Sequence, residues 1–121
     1  MKRDYVRQLV LFEDHFKEFR KTLIRDDLKK VYQVLTLIMS IKVVPATFLK
    51  SITGRKGLYE ILIEHENKEF RVFCCFDEGN HLVLFNGFQK KTQKTPVKQL
   101  DKAEALMKKY FEQKNELNNG Q

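Results

Sequence analysis

Residues Asn86 to Pro96, NGFQKKTQKTP, set three lysines, Lys90, Lys91 and Lys94, among Gln89, Thr92, Gln93 and Thr95. Lysine is almost never fully buried unless paired, so the stretch belongs at the surface. An apolar run, Leu82 to Phe85, precedes it and an amphipathic pattern follows it. A cationic, hydrogen-bond-rich segment is therefore held between two rigid elements, which is a way to present positive charge to a polyanion. A further cation, Arg71, stands in the middle of an apolar stretch, FRVFCCF, beside Phe73. Guanidinium holds phosphate oxygens bidentately. Lysines add charge and, when desolvated, shift far enough in pKa to move protons. Aromatics such as Phe73, Phe85 and Phe88 suit stacking on unpaired bases. The plainer reading of Arg71 is an ion pair with a neighbouring acid, Glu60 or Glu64, on an exposed sheet face.

Other chemistries find no support in the residue pattern. No dense Asp or Glu cluster marks a two-metal nuclease. Thr53-Gly54-Arg55-Lys56-Gly57 does not have P-loop spacing. The histidines, His15, His65 and His81, are scattered, and the two cysteines, Cys74 and Cys75, are adjacent, so no zinc-ligand spacing occurs. No cofactor is expected. If the chain cleaves a phosphodiester, it does so with cations and without metal. RNA permits this, because its own 2′-hydroxyl is the nucleophile. The protein must position the sugar, neutralise the pentacovalent phosphate and assist two proton transfers. Arg71 would bind the scissile phosphate, and Lys90 or Lys91 would supply transition-state charge or transfer a proton. Lys94, Thr92, Gln93, Phe88, Arg55 and Lys56 are assigned to holding the strand. Glu60 would orient Arg71 or a substrate group, or form a simple cross-strand ion pair.

The 121 residues suit one domain, 1–114, with a polar, frayed tail over 115–121. An apolar content of 42% and ten phenylalanines argue for a folded core. No apolar run approaches the roughly 18–20 residues of a membrane helix, and the basic start MKRDYVRQLVLF is too soon charged for a secretory segment. Adjacent cysteines in a strand point to opposite faces and do not bridge, which fits a reducing, cytoplasmic compartment. A net charge of +7 and a pI near 9.4 point to an acidic partner, or to solubility alone.

The elements that must position these residues follow from periodicity. A short strand falls near Arg7 to Phe12. Phe12, Phe16, Phe19 and Leu23 have helical spacing, with Asp14 as N-cap. Asp26 or Asp27 caps a second helix striped by Leu28, Val31, Leu35, Ile38 and Met39, which ends before Pro45. The two helices are expected to form an antiparallel hairpin. Phe48, Leu49 and Ile52 form a short anchored segment, followed by a basic loop, Thr53 to Gly57. Strands over Leu58–His65, Phe70–Phe76 and Leu82–Phe88, with turns at Glu66-Asn67-Lys68 and Asp77-Glu78-Gly79-Asn80, make an antiparallel meander. Phe70, Val72, Cys74 and Phe76 share the face against the helix hairpin, leaving Arg71, Phe73 and Cys75 on the other. A last helix runs from Val97 to Lys114 through Leu100, Ala103, Met107 and Tyr110. Tyr59 reads as core, and His81, beside a turn, as structural.

GLYE at Gly57 to Glu60, FRVFCCFDEGN at Phe70 to Asn80 and LFNGFQKKTQKTP at Leu84 to Pro96 resemble the phage-derived HigB branch of the RelE/ParE toxin superfamily. The resemblance spans nearly the whole chain. It implies the small α+β RelE-like fold: an N-terminal strand and helix hairpin packed on an antiparallel sheet, with a C-terminal helix. It also implies a type II toxin–antitoxin toxin, a ribosome-dependent mRNA endoribonuclease that inhibits translation. Its partners would be mRNA, the ribosome and a cognate antitoxin of helix-turn-helix type. The family's strand arginine falls on Arg71, and its basic loop on Lys90, Lys91 and Lys94. Many relatives read GLYELR or GLYEIR where this chain reads GLYEIL, so Leu62 stands in an arginine's place. The histidine and tyrosine acid–base groups of other branches have no clear match. These departures keep open a non-catalytic toxin that binds the ribosome or gyrase, as ParE-type relatives do, or an antitoxin-binding module.

Overall fold

The computed structural model describes residues 4–119. Strand β1 (Gln8–Leu11) leads into helices α1 (His15–Lys21) and α2 (Arg25–Ser40). Strands β2 (Leu49–Ser51), β3 (Tyr59–His65), β4 (Lys68–Asp77) and β5 (His81–Lys90) follow, and helix α3 (Val97–Asn119) closes the chain. The strands form one sheet in the order β1-β5-β4-β3-β2. Neighbours from β2 to β5 are antiparallel, whereas β1 lies parallel to β5, with Gln8 beside His81 and Leu11 beside Leu84. The α+β architecture is the expected one, and its sheet is mixed. A parallel pair needs a long crossover, and here nearly the whole fold connects β1 to β5.

Strand alternation builds two cores. On one face, Phe70, Val72 and Cys74 of β4 join Ile61, Ile63, Leu82 and Leu84 beneath Phe16 and Phe19 of α1 and Val31, Val34, Leu35 and Ile38 of α2. Phe76 does not follow its strand mates inward. It is 38% exposed at the end of β4, edge-on to Tyr59 and below the guanidinium of Arg7. On the other face, Phe73, Cys75, Val83, Phe85 and Leu58 pack under Ala103 and Leu106 of α3, with Phe12 alongside. The face that carries Arg71 is thus covered by α3 rather than exposed. The apolar stripe of α3 needed a sheet face, and α1 and α2 occupy the other.

Several boundaries differ from expectation for local reasons. Ile24, not an aspartate, stands at the N-cap of α2, and Asp26 and Asp27 lie inside its first turn, where carboxylates suit the helix dipole. Asp14 precedes α1 but makes no side-chain cap bond. The C-terminal end of α2 is closed from a distance. Arg7 donates from Nη1 to the carbonyls of Ile38 (2.8 Å) and Ile41 (2.6 Å), and from Nη2 to that of Lys42 (2.7 Å). Helix α3 continues past Lys114 to Asn119, because Glu116 and Leu117 favour helix and Lys114 is anchored to the sheet at Asp77. Among the described residues, no helix is long and apolar enough to cross a membrane.

One irregularity positions the site. Val72 lies opposite Gly87, but Cys74 lies opposite Leu84, so β5 carries an extra residue across this bulge. The extra residue lets both Phe85 and Asn86 serve the α3 side. Phe85 enters the core, and Asn86 donates from Nδ2 to the Gln99 carbonyl (3.3 Å) and Oε1 (3.0 Å). Gly87 then faces α1, where a β-carbon would stand 2.7 Å from the Phe19 ring.

Candidate functional site

Beyond the bulge, Phe88 lies opposite Arg71 and Lys90 opposite Glu69. Residues 69 and 71 alternate with Phe73, so Glu69, Arg71, Phe88 and Lys90 share the α3 side at the end of the sheet. The Phe88 ring stacks on Phe73 at 5.8 Å and 25°. Phe73 and Phe85 are fully buried and unavailable for base stacking. Phe88 is half-buried at the margin.

Arg71 is 5% exposed. Its Nη1 donates to the Phe70 carbonyl (3.1 Å) and its Nη2 to Glu69 Oε1 (3.2 Å), while the buried Nε has no partner. The acid that pairs with it is therefore neither Glu60 nor Glu64. Spacing of two along one strand puts Glu69 on the same face, whereas Glu60 lies opposite Phe73 and forms its ion pair with Lys50 of β2 at 3.7 Å. Glu60 is itself buried and makes no bond to Arg71. Leu62 is the cross-strand neighbour of Arg71 on β3, so an apolar residue stands opposite it where the family resemblance implied a second arginine.

Lys90 ends β5, and Lys91, Thr92, Gln93 and Lys94 follow as an exposed loop. The Thr92 hydroxyl donates to the Lys94 carbonyl at 2.7 Å and bends the loop. The Pro96 carbonyl accepts from the Gln99 and Leu100 amides as α3 begins. Among the described residues, Lys90, Lys91 and Lys94 form no ion pair. Gln89 to Gln93 form one wall of an open cleft of about 640 Å³ whose other wall is Asn67, Lys68 and Glu69. Asn67, Lys68 and Glu69 were not among the residues selected from the sequence. The signal was available, because an antiparallel meander puts the β3–β4 turn beside the end of β5.

Lys68 has its own anchor. Its Nζ donates to Asp27 Oδ2 at 2.6 Å, and His65 Nδ1 lies 2.9 Å from Asp27 Oδ1. Asp27 is 4% exposed. The Lys68 hydrogen bond holds its carboxyl below the usual range against the opposing effect of burial, and His65 adds to this. The cluster ties the first turn of α2 to the β3–β4 turn and so fixes one wall of the cleft.

The second basic loop lies elsewhere. Arg55 Nη1 donates to Asp101 Oδ1 and Glu104 Oε1, both at 2.8 Å, and is an anchor for α3. Lys56 beside it is exposed. Neither residue lines the lysine cleft. His81 opens β5 at the far end of the sheet and Tyr59 packs partly buried against Phe76. Both cysteines are buried free thiols. Burial pushes Cys75 up to about 12 and raises Cys74 well above the ordinary thiol value, so neither presents a thiolate nucleophile near neutral pH. Among the described residues, no group of three or more His, Cys, Asp or Glu side chains is arranged to hold a metal ion.

Residues 15–108, from the start of α1 to the middle of α3, match the family model described as Phage derived protein Gp49-like (DUF891). No curated protein matches the chain.

Proposed function

The chain belongs to the phage-derived Gp49-like family, a RelE-like family associated with the toxins of toxin–antitoxin systems, and on that premise we propose that it is a HigB-type toxin that cleaves translated mRNA on the ribosome without a metal ion. The observation that carries this reading is the cleft at the end of the sheet. Lys90 and Lys91 border it with no ion-pair partner among the described residues, and Lys90 lies one strand from Arg71. In such a site the RNA 2′-oxygen forms the new bond to phosphorus as the bond to the 5′-oxygen breaks. The 2′-hydroxyl proton passes to solvent water, and the departing 5′-oxygen takes a proton from the Lys90 or Lys91 ammonium, which solvent then restores. Lys90 and Lys91 neutralise the charge that builds on phosphorus, and Lys94, Thr92 and Gln93 hold the flanking backbone. A cognate antitoxin, in this reading a helix-turn-helix protein, suppresses activity by occupying the basic end of the sheet.

Induced expression is expected to arrest growth and truncate translated mRNA. Substituting both Lys90 and Lys91 by Ala, or Arg71 by Ala, relieves both effects. Full toxicity in the double lysine variant removes the cleft from the mechanism.

A second reading draws on Arg71 itself. Its near-complete burial, its pairing with Glu69 and the leucine opposite it favour a toxin that binds the ribosome or gyrase without cutting RNA. Purified ribosomes carrying a defined mRNA separate the two. Tight binding with intact mRNA supports the second reading, and cleavage supports the first.

A further inference from the structure

Arg71 is bound in an incomplete way. The Nε–H and Nη2 groups of arginine form one edge of the guanidinium fork, the edge that grips two oxygens of a carboxylate or phosphate. Here Glu69 takes Nη2 alone, at 3.2 Å, and Nε on the same edge is buried with no partner. A buried donor without a partner costs stability and calls for an explanation. Glu69 is held loosely by comparison, with its side chain 43% exposed. It lines the cleft, and its cross-strand neighbour is Lys90.

The geometry points to an anion position on the Nε–Nη2 edge of Arg71, filled at rest by the chain's own Glu69 carboxylate and taken over by a backbone phosphate of single-stranded RNA when Glu69 swings outward. This rests on the reading of the cleft as the RNA-binding site. A phosphate brings oxygens for both donors at once, which a single carboxylate oxygen does not. Glu69 is thus an internal competitor of the substrate. It keeps a buried cation neutralised in the empty protein and raises the threshold for weakly bound polyanions. It acts on RNA through Arg71, as a positioning residue.

The test measures binding of a single-stranded 2′-O-methyl RNA oligonucleotide, which lacks the nucleophilic hydroxyl, by fluorescence anisotropy at low salt. Glu69→Ala and the shape-preserving Glu69→Gln each bind about tenfold tighter than the parent, the value of one charge-assisted hydrogen bond. Glu66→Ala, which removes an exposed acid from the adjacent turn, changes affinity by no more than about twofold. In an Arg71→Lys background, where the fork is gone, the gain from Glu69→Ala shrinks to that of Glu66→Ala. No gain on removing Glu69, an equal gain with Lys at position 71, or no oligonucleotide binding by any variant overturns the inference. Ribosomal mRNA cleavage by the parent with no effect of Glu69 on binding sinks this inference and leaves the nuclease reading intact. The Glu69 effect on binding without any cleavage does the reverse.

Discussion

At the scale of single residues, the glycine after the bulge carries a strict steric demand. A β-carbon on Gly87 would stand 2.7 Å from two ring carbons of Phe19, a side chain locked between α1 and the sheet. Gly87→Ala is expected to lower unfolding free energy by about 1–3 kcal/mol, the usual cost of overpacking a core, read as a lower urea midpoint with unchanged slope. No comparable loss would mean that α1 rides loosely on β5. This contact was not legible in the sequence, where NGF reads only as the end of the strand Leu82–Phe88 and the start of the lysine stretch. Arg71, by contrast, was found from its position among apolar residues, although its partner was not. Strand pairing points to Glu60 and Glu64 on the neighbouring strand, whereas the pairing acid, Glu69, lies two residues back on the same strand. Arg7 was invisible for a different reason: its carbonyl acceptors are more than thirty residues away, at Ile38, Ile41 and Lys42, and backbone acceptors have no residue signature.

At the scale of elements, α3 is fastened at two places, to the loop between β2 and β3 and to the end of β4. Near its start Asp101 and Glu104 hold Arg55. Farther along, Tyr110 donates to Asp77 Oδ2 at 2.5 Å and Lys114 to Asp77 Oδ1 at 2.7 Å. Tyr110→Phe leaves the nearly buried carboxylate short of one donor, at about 1.5–3 kcal/mol, seen as a lower midpoint and faster amide exchange along the end of β4. The same clamp sets the pH range of the fold. Burial of Asp77 works against its ionisation, but Lys114 and Tyr110 outweigh it, and both Asp77 and Asp27 sit below their ordinary value near 3.8. As pH falls, the unfolded chain binds these protons first. The stability they contribute is complete above about pH 4 and is lost as pH drops through the lowered values. On the alkaline side, burial and the Asp77 bond raise Tyr110 from 10 to about 12, so its contribution is present below 10 and disappears between 10 and 12. Melting temperature measured across pH should fall at both limits, and Tyr110→Phe should reduce the alkaline fall without abolishing it, because Cys74, Cys75 and Lys114 are raised as well. Periodicity identified α3 and its stripe, yet not the sheet face it covers, because the bulge changes the parity of β5 and no residue announces the extra position.

At the scale of the whole molecule, the excess of seven positive charges is unevenly committed. Arg7, Arg55, Lys68 and Lys114 are tied into the fold, while Lys90, Lys91 and Lys94 form no ion pair among the described residues. Affinity for single-stranded RNA should therefore fall steeply with salt. Lys91→Ala should flatten the slope of log affinity against log salt by about 0.7, one released counterion, whereas Arg55→Ala should leave the slope unchanged. Equal slopes for the two variants would mean that the open cleft does not meet the phosphate backbone. The parallel pairing of Gln8–Leu11 with the last strand also has a consequence in time. During synthesis the N-terminal strand emerges first but has no neighbour until residues 81–90 have left the ribosome, and α3 follows later still. Such distant pairings close slowly, and a chain made at about 5–20 residues per second waits several seconds for them. The late β1 pairing closes on His81–Leu84, at the opposite end of β5 from Lys90, whose own partner Glu69 lies on the adjacent antiparallel strand.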